Sequence, residues 1–178
     1  MTMDAAPRER NPFLEAVGRV TVAGAELDLS LRQLLGSIAH EPTLLMYANA
    51  ASTSQLIELC ELALRVGHLA AEDVTAISAC LKSANDFRKQ RNTIVHGLFG
   101  PDESGTGLEA VMPRRKSWGY QASAVSIEQM EKLADEVVVL QARMFRAGWN
   151  ASAARFPGMS KLPPLVPGQQ VNGVTVPE

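Results

Sequence analysis

The feature that most restricts the fold of this chain is a long apolar stripe near its N-terminus. Its members recur every three or four positions, namely Phe13, Val17, Val20, Gly24, Leu27, Leu31, Leu34 and Ile38. That spacing is the repeat of one face of an α-helix. It predicts a helix of about 27 residues, which begins at Pro12 behind an Asn11 cap and stops near His40. Gly24 on this face indicates close approach of another backbone.

Two more helical patterns follow in the first half of the chain. One extends from about residue 43 to residue 66 and breaks near residues 51–54, where Ser52 can cap a new start. The other extends from about residue 70 to residue 98 and ends at glycines. Its early stripe consists of Val74, Ile77, Leu81 and Ala84.

The region after residue 100 changes character before the last helix. Residues 108–111 and 118–125 can form two short strands. Ser126 and Gln129 then make a capping box that starts a final helix. The predicted fold is therefore all-α, an antiparallel bundle of four to five helices with a small hairpin or loop before the last helix.

The helical patterns occupy residues 12–150, which we expect to form the one domain. We expect residues 1–11 to form a polar, flexible lead without the apolar core of a signal peptide, and residues 151–178 to form a proline- and glycine-rich tail or an arm laid on a partner. The apolar runs are shorter than the ~20 residues that span a bilayer. Cys60 and Cys80 lack metal-ligand spacing, so we expect reduced thiols, no metal, no cofactor and a cytoplasmic location.

The residues with the greatest chemical potential lie at the end of the third helical pattern. At 100° per residue, the apolar stripe continues into Arg88, Arg91 and Asn92. Because arginine is rarely buried without a partner, an arginine there needs an acidic residue, a cleft or a bound anion. The structural alternative is that both arginines reach solvent and favour the helix C-terminus, while His96 caps the last carbonyls.

These residue types suit the cleavage of RNA without a metal. A guanidinium matches a phosphate in two hydrogen bonds, and it stabilises charge that develops on phosphorus. A histidine transfers protons near neutral pH, and an asparagine can hold its tautomer or a phosphate oxygen. The internal nucleophile is the 2′-hydroxyl, which DNA lacks, so this chemistry selects RNA.

The segment from Arg91 to His96 resembles the signature of HEPN domains. In that family an arginine, usually followed by a polar residue, precedes a histidine by four to six intervening positions; here the gap is four and the polar residue is Asn92. The setting is also similar, because the motif closes a long helix and Gly97 follows. The first helix, around residues 22–31, resembles the family as well. The resemblance covers roughly residues 12–148.

The resemblance implies a catalytic pair of Arg91 and His96, with Asn92 as an orienting residue. It implies a metal-independent endoribonuclease that forms a homodimer, in which two motifs face each other across one cleft. Many members are toxins of toxin–antitoxin pairs or effectors of antiviral defence, so a cognate antitoxin or nucleotidyltransferase is a possible partner. Other members are inactive. The alternative is therefore a non-catalytic module that binds nucleotide, RNA or a protein, and an unrelated helical scaffold is a third possibility.

Local basic groups are the remaining candidates for RNA contacts. The formal charge of −2 and the pI of about 5.9 exclude a broadly basic surface but not a basic site. Arg88 lies on the motif face, and Arg114 and Arg115 lie at the predicted hairpin tip, where a solvated turn is the simpler interpretation. Trp118 and Tyr120 could stack on a base, although packing in the hairpin core is favoured.

Overall fold

The computed structural model describes residues 10–39, 41–102, 107–114, 118–156 and 158–178. These ranges contain five helices: α1 (Pro12–Ala39), α2 (Pro42–Ala48), α3 (Thr53–Val66), α4 (Ala71–His96) and α5 (Ile127–Ala153). They also contain two antiparallel sheets, one of β1 (Leu98–Pro101), β2 (Leu108–Pro113) and β3 (Tyr120–Val125), and one of β4 (Gln170–Val171) and β5 (Val174–Thr175).

The helices start where the sequence places their caps. Asn11 Oδ1 accepts a hydrogen bond from the first turn of α1 at 3.0 Å. The backbone N–H of Ser52 donates to Gln55 Oε1 at 2.8 Å, which separates α3 from α2. At the start of α5, the Gln129 N–H donates to Ser126 Oγ at 3.1 Å. Each cap satisfies backbone donors that a helix start leaves free, so the predicted breaks in the helical pattern are confirmed.

Helix α1 is the centre of the fold and contacts all four other helices. Its predicted stripe forms much of the core, and residues such as Val20, Leu31 and Leu35 are fully buried. Burial of each such side chain contributes about 1.5–3 kcal/mol, so the packed helices dominate stability. The other fully buried large residues come from α3, α4 and α5, namely Leu56, Cys60, Ile77, Met130, Val137 and Met144.

The prediction of a mostly helical fold is confirmed, but the description all-α is wrong. The predicted hairpin of β2 and β3 has a third strand, because β1 follows α4 directly and pairs with β2. Its register puts Leu98 opposite Val111. The short run from residue 98 to residue 101 carries too little alternation to be recognised as a strand.

Gly97 separates α4 from β1. Its backbone is extended, with φ −74° and ψ 148°, and its N–H caps the Thr93 carbonyl at 3.0 Å. A Cβ at this position would overlap that carbonyl oxygen and lie 3.0 Å from Ala110 Cβ. The glycine therefore lets β2 pass directly beside the end of α4.

Residues 158–178, here named the C-terminal strap, lie against α4 and α5 of the same chain. Lys161 Nζ lies 3.4 Å from both carboxylate oxygens of Asp73 and also pairs with Glu72. Trp149 Nε1 donates to the Ser160 carbonyl at 3.0 Å. The sequence predicts an extended tail or an arm for a partner, whereas the strap covers its own helices.

The end of the strap is a small hairpin that the sequence interpretation missed. Its turn is Asn172-Gly173, with φ values of 48° and 83°. A two-residue turn with both φ values positive matches the right-handed twist of paired strands, and Asn-Gly is its strongest sequence signal. The hairpin contacts α5, and Val176 is 2% exposed.

Candidate functional site at the end of helix α4

Arg91 projects from the middle of the buried face of α4. The predicted stripe was centred near Leu81, but the observed buried face also includes Cys80 and Phe87. At 100° per residue, Arg91 lies on the same side of the helix as Cys80 and Ala84. An arginine therefore occupies a position whose counterparts earlier in the helix form the core.

Gly24 of α1 provides the space for this arginine. A Cβ at Gly24 would lie 3.2 Å from Arg91 Nε and 3.7 Å from Arg91 Cγ. The sequence predicts that another backbone approaches Gly24, but the neighbour is the stem of an arginine side chain. The absence of a Cβ allows that stem to lie directly on α1.

The hydrogen bonding of Arg91 is incomplete. Its Nη1 donates to Asn92 Oδ1 at 3.1 Å, while its buried Nε has no hydrogen-bond partner among the described residues. Within those ranges, no carboxylate forms an ion pair with it. A buried donor without a partner costs about 1–3 kcal/mol, so this position of Arg91 is held at a cost in stability.

Arg88 is restrained differently. Its Nε and Nη2 both donate to Asn85 Oδ1, at 3.1 and 2.8 Å. The fork is therefore closed on a neutral amide one turn earlier in the same helix. The positive charge remains without a carboxylate in the part of the chain that the structure describes, but fewer of its donors are free than in Arg91.

His96 is the last residue of α4, and its side chain is exposed. It lies about 140° around the helix from Arg91, so the two side chains of one chain point apart. The carbonyl of Thr93 is capped by the Gly97 N–H and not by the imidazole. The structure thus brings Arg91 and Asn92 together but does not bring His96 to them.

The hairpin tip contains the other predicted RNA contacts. Arg114 is exposed at the end of β2, and its N–H donates to the Gly119 carbonyl at 3.0 Å. Arg115 lies outside the described residues. The expected packing of Trp118 and Tyr120 in the hairpin core is wrong, since they are 102% and 68% exposed. Strand β1 starts to pair with the hairpin at Val111, which lies opposite Ala122 of β3. Trp118 and Tyr120 lie beyond that point, so β1 does not lie beside them.

A sizeable cavity among the described residues does not coincide with the motif. It has a volume of about 750 Å³, lies between α4, α5 and the strap, and has several acidic groups in its wall, including Asp86, Glu131 and Asp135. A second cavity of about 420 Å³ lies between α4, β3 and α5 beside Thr93 and Lys132. Neither is lined by Arg91 or His96. We take the motif as the candidate site because it contains the residues that the sequence singles out for catalysis, Arg91, Asn92 and His96.

The described ranges contain neither a cluster of metal-ligating side chains nor a helix suited to span a membrane. No group of three or more His, Cys, Asp or Glu side chains is placed to hold a metal ion there. No helix in these ranges is long and apolar enough to cross a membrane. Cys60 and Cys80 are free and buried, and burial raises their pKa values to about 12 and about 11. Both thiols are therefore protonated and unreactive near neutral pH.

Comparison of the chain with protein-family models, with curated proteins and with solved structures gives no match. The resemblance to HEPN domains therefore depends on the residues of the motif and on their setting.

Proposed function

We propose that this protein is a metal-independent endoribonuclease of the HEPN type, with an antiparallel helical bundle that acts as a homodimer. The observation that carries the proposal is the guanidinium of Arg91. It lies on Gly24, donates to Asn92 and has no carboxylate partner among the residues described. A phosphate group supplies both the charge and the acceptor geometry that this guanidinium lacks.

In the proposed reaction, the 2′-hydroxyl of one nucleotide attacks the adjacent phosphorus, and the bond to the 5′-oxygen of the next nucleotide breaks. The products are a 2′,3′-cyclic phosphate and a free 5′-hydroxyl. His96 transfers protons between these oxygens, and Arg91 stabilises the additional negative charge on the phosphoryl oxygens. Arg88, Arg114 and Arg115 are proposed to bind the flanking RNA backbone.

The divergence of the motif residues supports the dimer. Since Arg91 and His96 of one chain point about 140° apart, one chain does not enclose a substrate between them. A second copy of the motif would complete the cleft. The biological role that fits such an enzyme is a toxin or an effector of antiviral defence, with a cognate antitoxin or nucleotidyltransferase as its partner.

One observation favours the alternative, a non-catalytic HEPN module that binds RNA, nucleotide or a protein. A catalytic base normally has a neighbour that orients it. The exposed imidazole of His96 has no hydrogen bond to another described residue, whereas the guanidinium of Arg91 is already positioned for binding.

The test is incubation of purified protein with RNA in excess EDTA. We expect cleavage that leaves cyclic phosphate ends, and a loss of at least ~10²-fold in rate for His96→Ala and for Arg91→Ala. His68→Ala and Arg65→Ala are matched controls, because both residues are exposed and distant in sequence from the motif, and they should cleave normally. Intact RNA at high protein concentration would refute the enzyme, and retained RNA binding would then favour the alternative.

A further inference from the structure

Helix α1 carries a second apolar stripe, on the side that faces solvent. Leu14, Val22 and Leu29 are 63%, 57% and 55% exposed, and Gly18 and Ala25 between them are exposed as well. At 100° per residue these five positions fall within a sector of about 80°, opposite the face that packs in the core. A surface helix normally carries polar residues in this sector.

The spacing of the exposed residues along this stripe is symmetric about its centre. Thr21 is exposed at the edge of the stripe, about 20° outside that sector. With Thr21 included, the exposed positions are Leu14, Gly18, Thr21, Val22, Ala25 and Leu29, and the steps between them are 4, 3, 1, 3 and 4 residues. A leucine stands at each end, a small residue comes next from either side, and a β-branched pair stands in the middle. In an antiparallel pair of identical helices, each residue meets its mirror position on the other copy.

We propose that the outward face of α1 binds a second copy of this chain, with the two-fold axis between Thr21 and Val22. Leu14 of one copy then packs against Leu29 of the other, and Gly18 lies opposite Ala25. The small residues let the helix axes approach to the ~8 Å of close helix pairs. The leucines cover the two ends, so the contact is self-complementary in shape.

This pairing also determines where the candidate site lies relative to the two-fold axis. Gly24, which carries the stem of Arg91, is two to three residues from the axis, or roughly 4 Å along the helix. It lies on the flank of the helix pair, not in the contact itself. A two-fold axis perpendicular to two antiparallel helices keeps equivalent flanks on the same side. Both Arg91 side chains therefore border one groove, and this part of the inference rests on the proposed function.

Gly18 offers the sharpest test of the surface. Nothing lies within 4 Å of a Cβ at Gly18, and glycine is a poor residue inside a helix. Gly18→Arg should therefore fold at least as well as the parent chain, yet it places two arginines in the contact. We expect its dimer dissociation constant to rise at least ~30-fold in sedimentation velocity.

Leu29→Arg should have the same effect, and Leu62→Arg is its control. Leu62 lies on α3 and is 45% exposed, similar to the 55% of Leu29. The substitution at Leu62 should leave the dimer intact. Unfolding curves of the variants separate loss of association from loss of folding.

Oxidative cross-linking tests the position of the axis. In Val22→Cys, the two introduced thiols lie next to the axis and should form an intermolecular disulfide under mild oxidation. Leu62→Cys should not form this disulfide. Cys60 and Cys80 are buried, so they should not cross-link either.

The proposal is overturned if the parent chain is monomeric at micromolar concentration, if Gly18→Arg and Leu29→Arg remain dimeric, or if Val22→Cys does not cross-link. A monomeric parent chain would remove this surface and also the homodimer of the proposed function, whereas the other two results are distinct from failure of the proposed function. A protein that cleaves RNA and stays dimeric after Gly18→Arg keeps the function and loses this surface. A protein that cross-links at Val22→Cys but leaves RNA intact keeps the surface and loses the function.

Discussion

The two ends of α4 carry opposite charges on the same side of the helix, but these charges differ in their side-chain partners. Asp73 and Arg91 are about five turns apart, and both lie on the face that packs toward the bundle. Asp73 is 5% exposed and has Lys161 Nζ 3.4 Å from both of its oxygens. Arg91 has only the neutral Asn92 as a side-chain partner among described residues.

The helix dipole does not explain this difference. An acid in the first turn and a base near the last turn are both favourable, by roughly 0.3–1 kcal/mol each. The two ends of α4 differ in whether the charged side chain has a counter-ion. This difference matters because a buried polar group without a partner costs about 1–3 kcal/mol. Asp73 has a counter-ion from its own chain, whereas Arg91 has none among the described residues.

The substitution Arg91→Met should give the largest effect and sharpen the comparison. Methionine keeps the apolar stem but removes the unpartnered buried Nε, so the free energy of unfolding should stay equal or rise. RNA cleavage should fall at least ~10²-fold, because the group proposed to stabilise the phosphoryl charge is gone. Denaturant unfolding followed by circular dichroism, together with cleavage rates, checks both parts.

Asp73→Ala is the matched change at the other end. It removes the buried carboxylate that Lys161 and the first turn of α4 stabilise, so the free energy of unfolding should fall by about 1–2 kcal/mol. Cleavage by the folded variant should be unchanged. Equal destabilisation by Arg91→Met and Asp73→Ala would break the comparison, since it would make Arg91 a structural residue.

Gly24→Ala should have two smaller effects of opposite sign, a rise in stability and a fall in cleavage. The new Cβ lies 3.2 Å from Arg91 Nε, so the flexible side chain must shift by a few tenths of an ångström. Helix propensity should raise stability by about 0.5–1 kcal/mol, while cleavage should fall by up to ~10-fold because the guanidinium is displaced.

Gly36→Ala is the control for Gly24→Ala within the same helix. A Cβ at Gly36 lies at an ordinary 3.5 Å from Leu45 Cδ2. The gain in stability should be similar, without a change in cleavage. Equal cleavage by both variants would show that the position of Arg91 on Gly24 has no functional consequence.

The smallest expected effect is the pH dependence of the strap. The hydrogen bond from Lys161 holds the pKa of Glu72 below its usual 4.5, and Glu72 in turn holds the pKa of Lys161 above 10.5. The stabilisation from Glu72 is present above pH 4.5 and is lost as pH falls through its lowered pKa. The stabilisation from Lys161 is present below pH 10.5 and is lost as pH rises through its raised pKa.

Trp149 reports on this contact, because its indole donates to Ser160 beside Lys161. In a Trp118→Phe background, its fluorescence should be constant between pH 4.5 and pH 10.5 and should change outside that window. Lys161→Met should remove these two transitions. A profile that is identical with and without Lys161 would show that the ion pairs do not hold the strap.

The helix boundaries were the most predictable part of the fold. Asn11, Ser52 and Ser126 are local signals, because each cap depends on hydrogen bonds within a few residues. The face of α4 was predicted less well. Helix α4 contacts α1, α3 and α5, so its buried arc is wide, and residues such as Phe87 that face one neighbour do not follow a single stripe.

The geometry of the candidate site depended on contacts that no local pattern contains. The sequence placed Arg91 on the core side of its helix, but only the packing of α1 on α4 shows that Gly24 accommodates it. The exposure of Trp118 likewise depends on where β1 begins. The turn at Asn172-Gly173 differs from both, because Asn-Gly is itself a local sequence signal for a two-residue hairpin turn.

The contact between Lys161 and Asp73 has a consequence for the timing of folding on the ribosome. The two residues are 88 positions apart, and the cation comes second. A nascent chain that has released α4 therefore holds an acid at the edge of its core before the neutralising base has been synthesised. The ion pair that neutralises this acid can therefore form only after the strap has been synthesised.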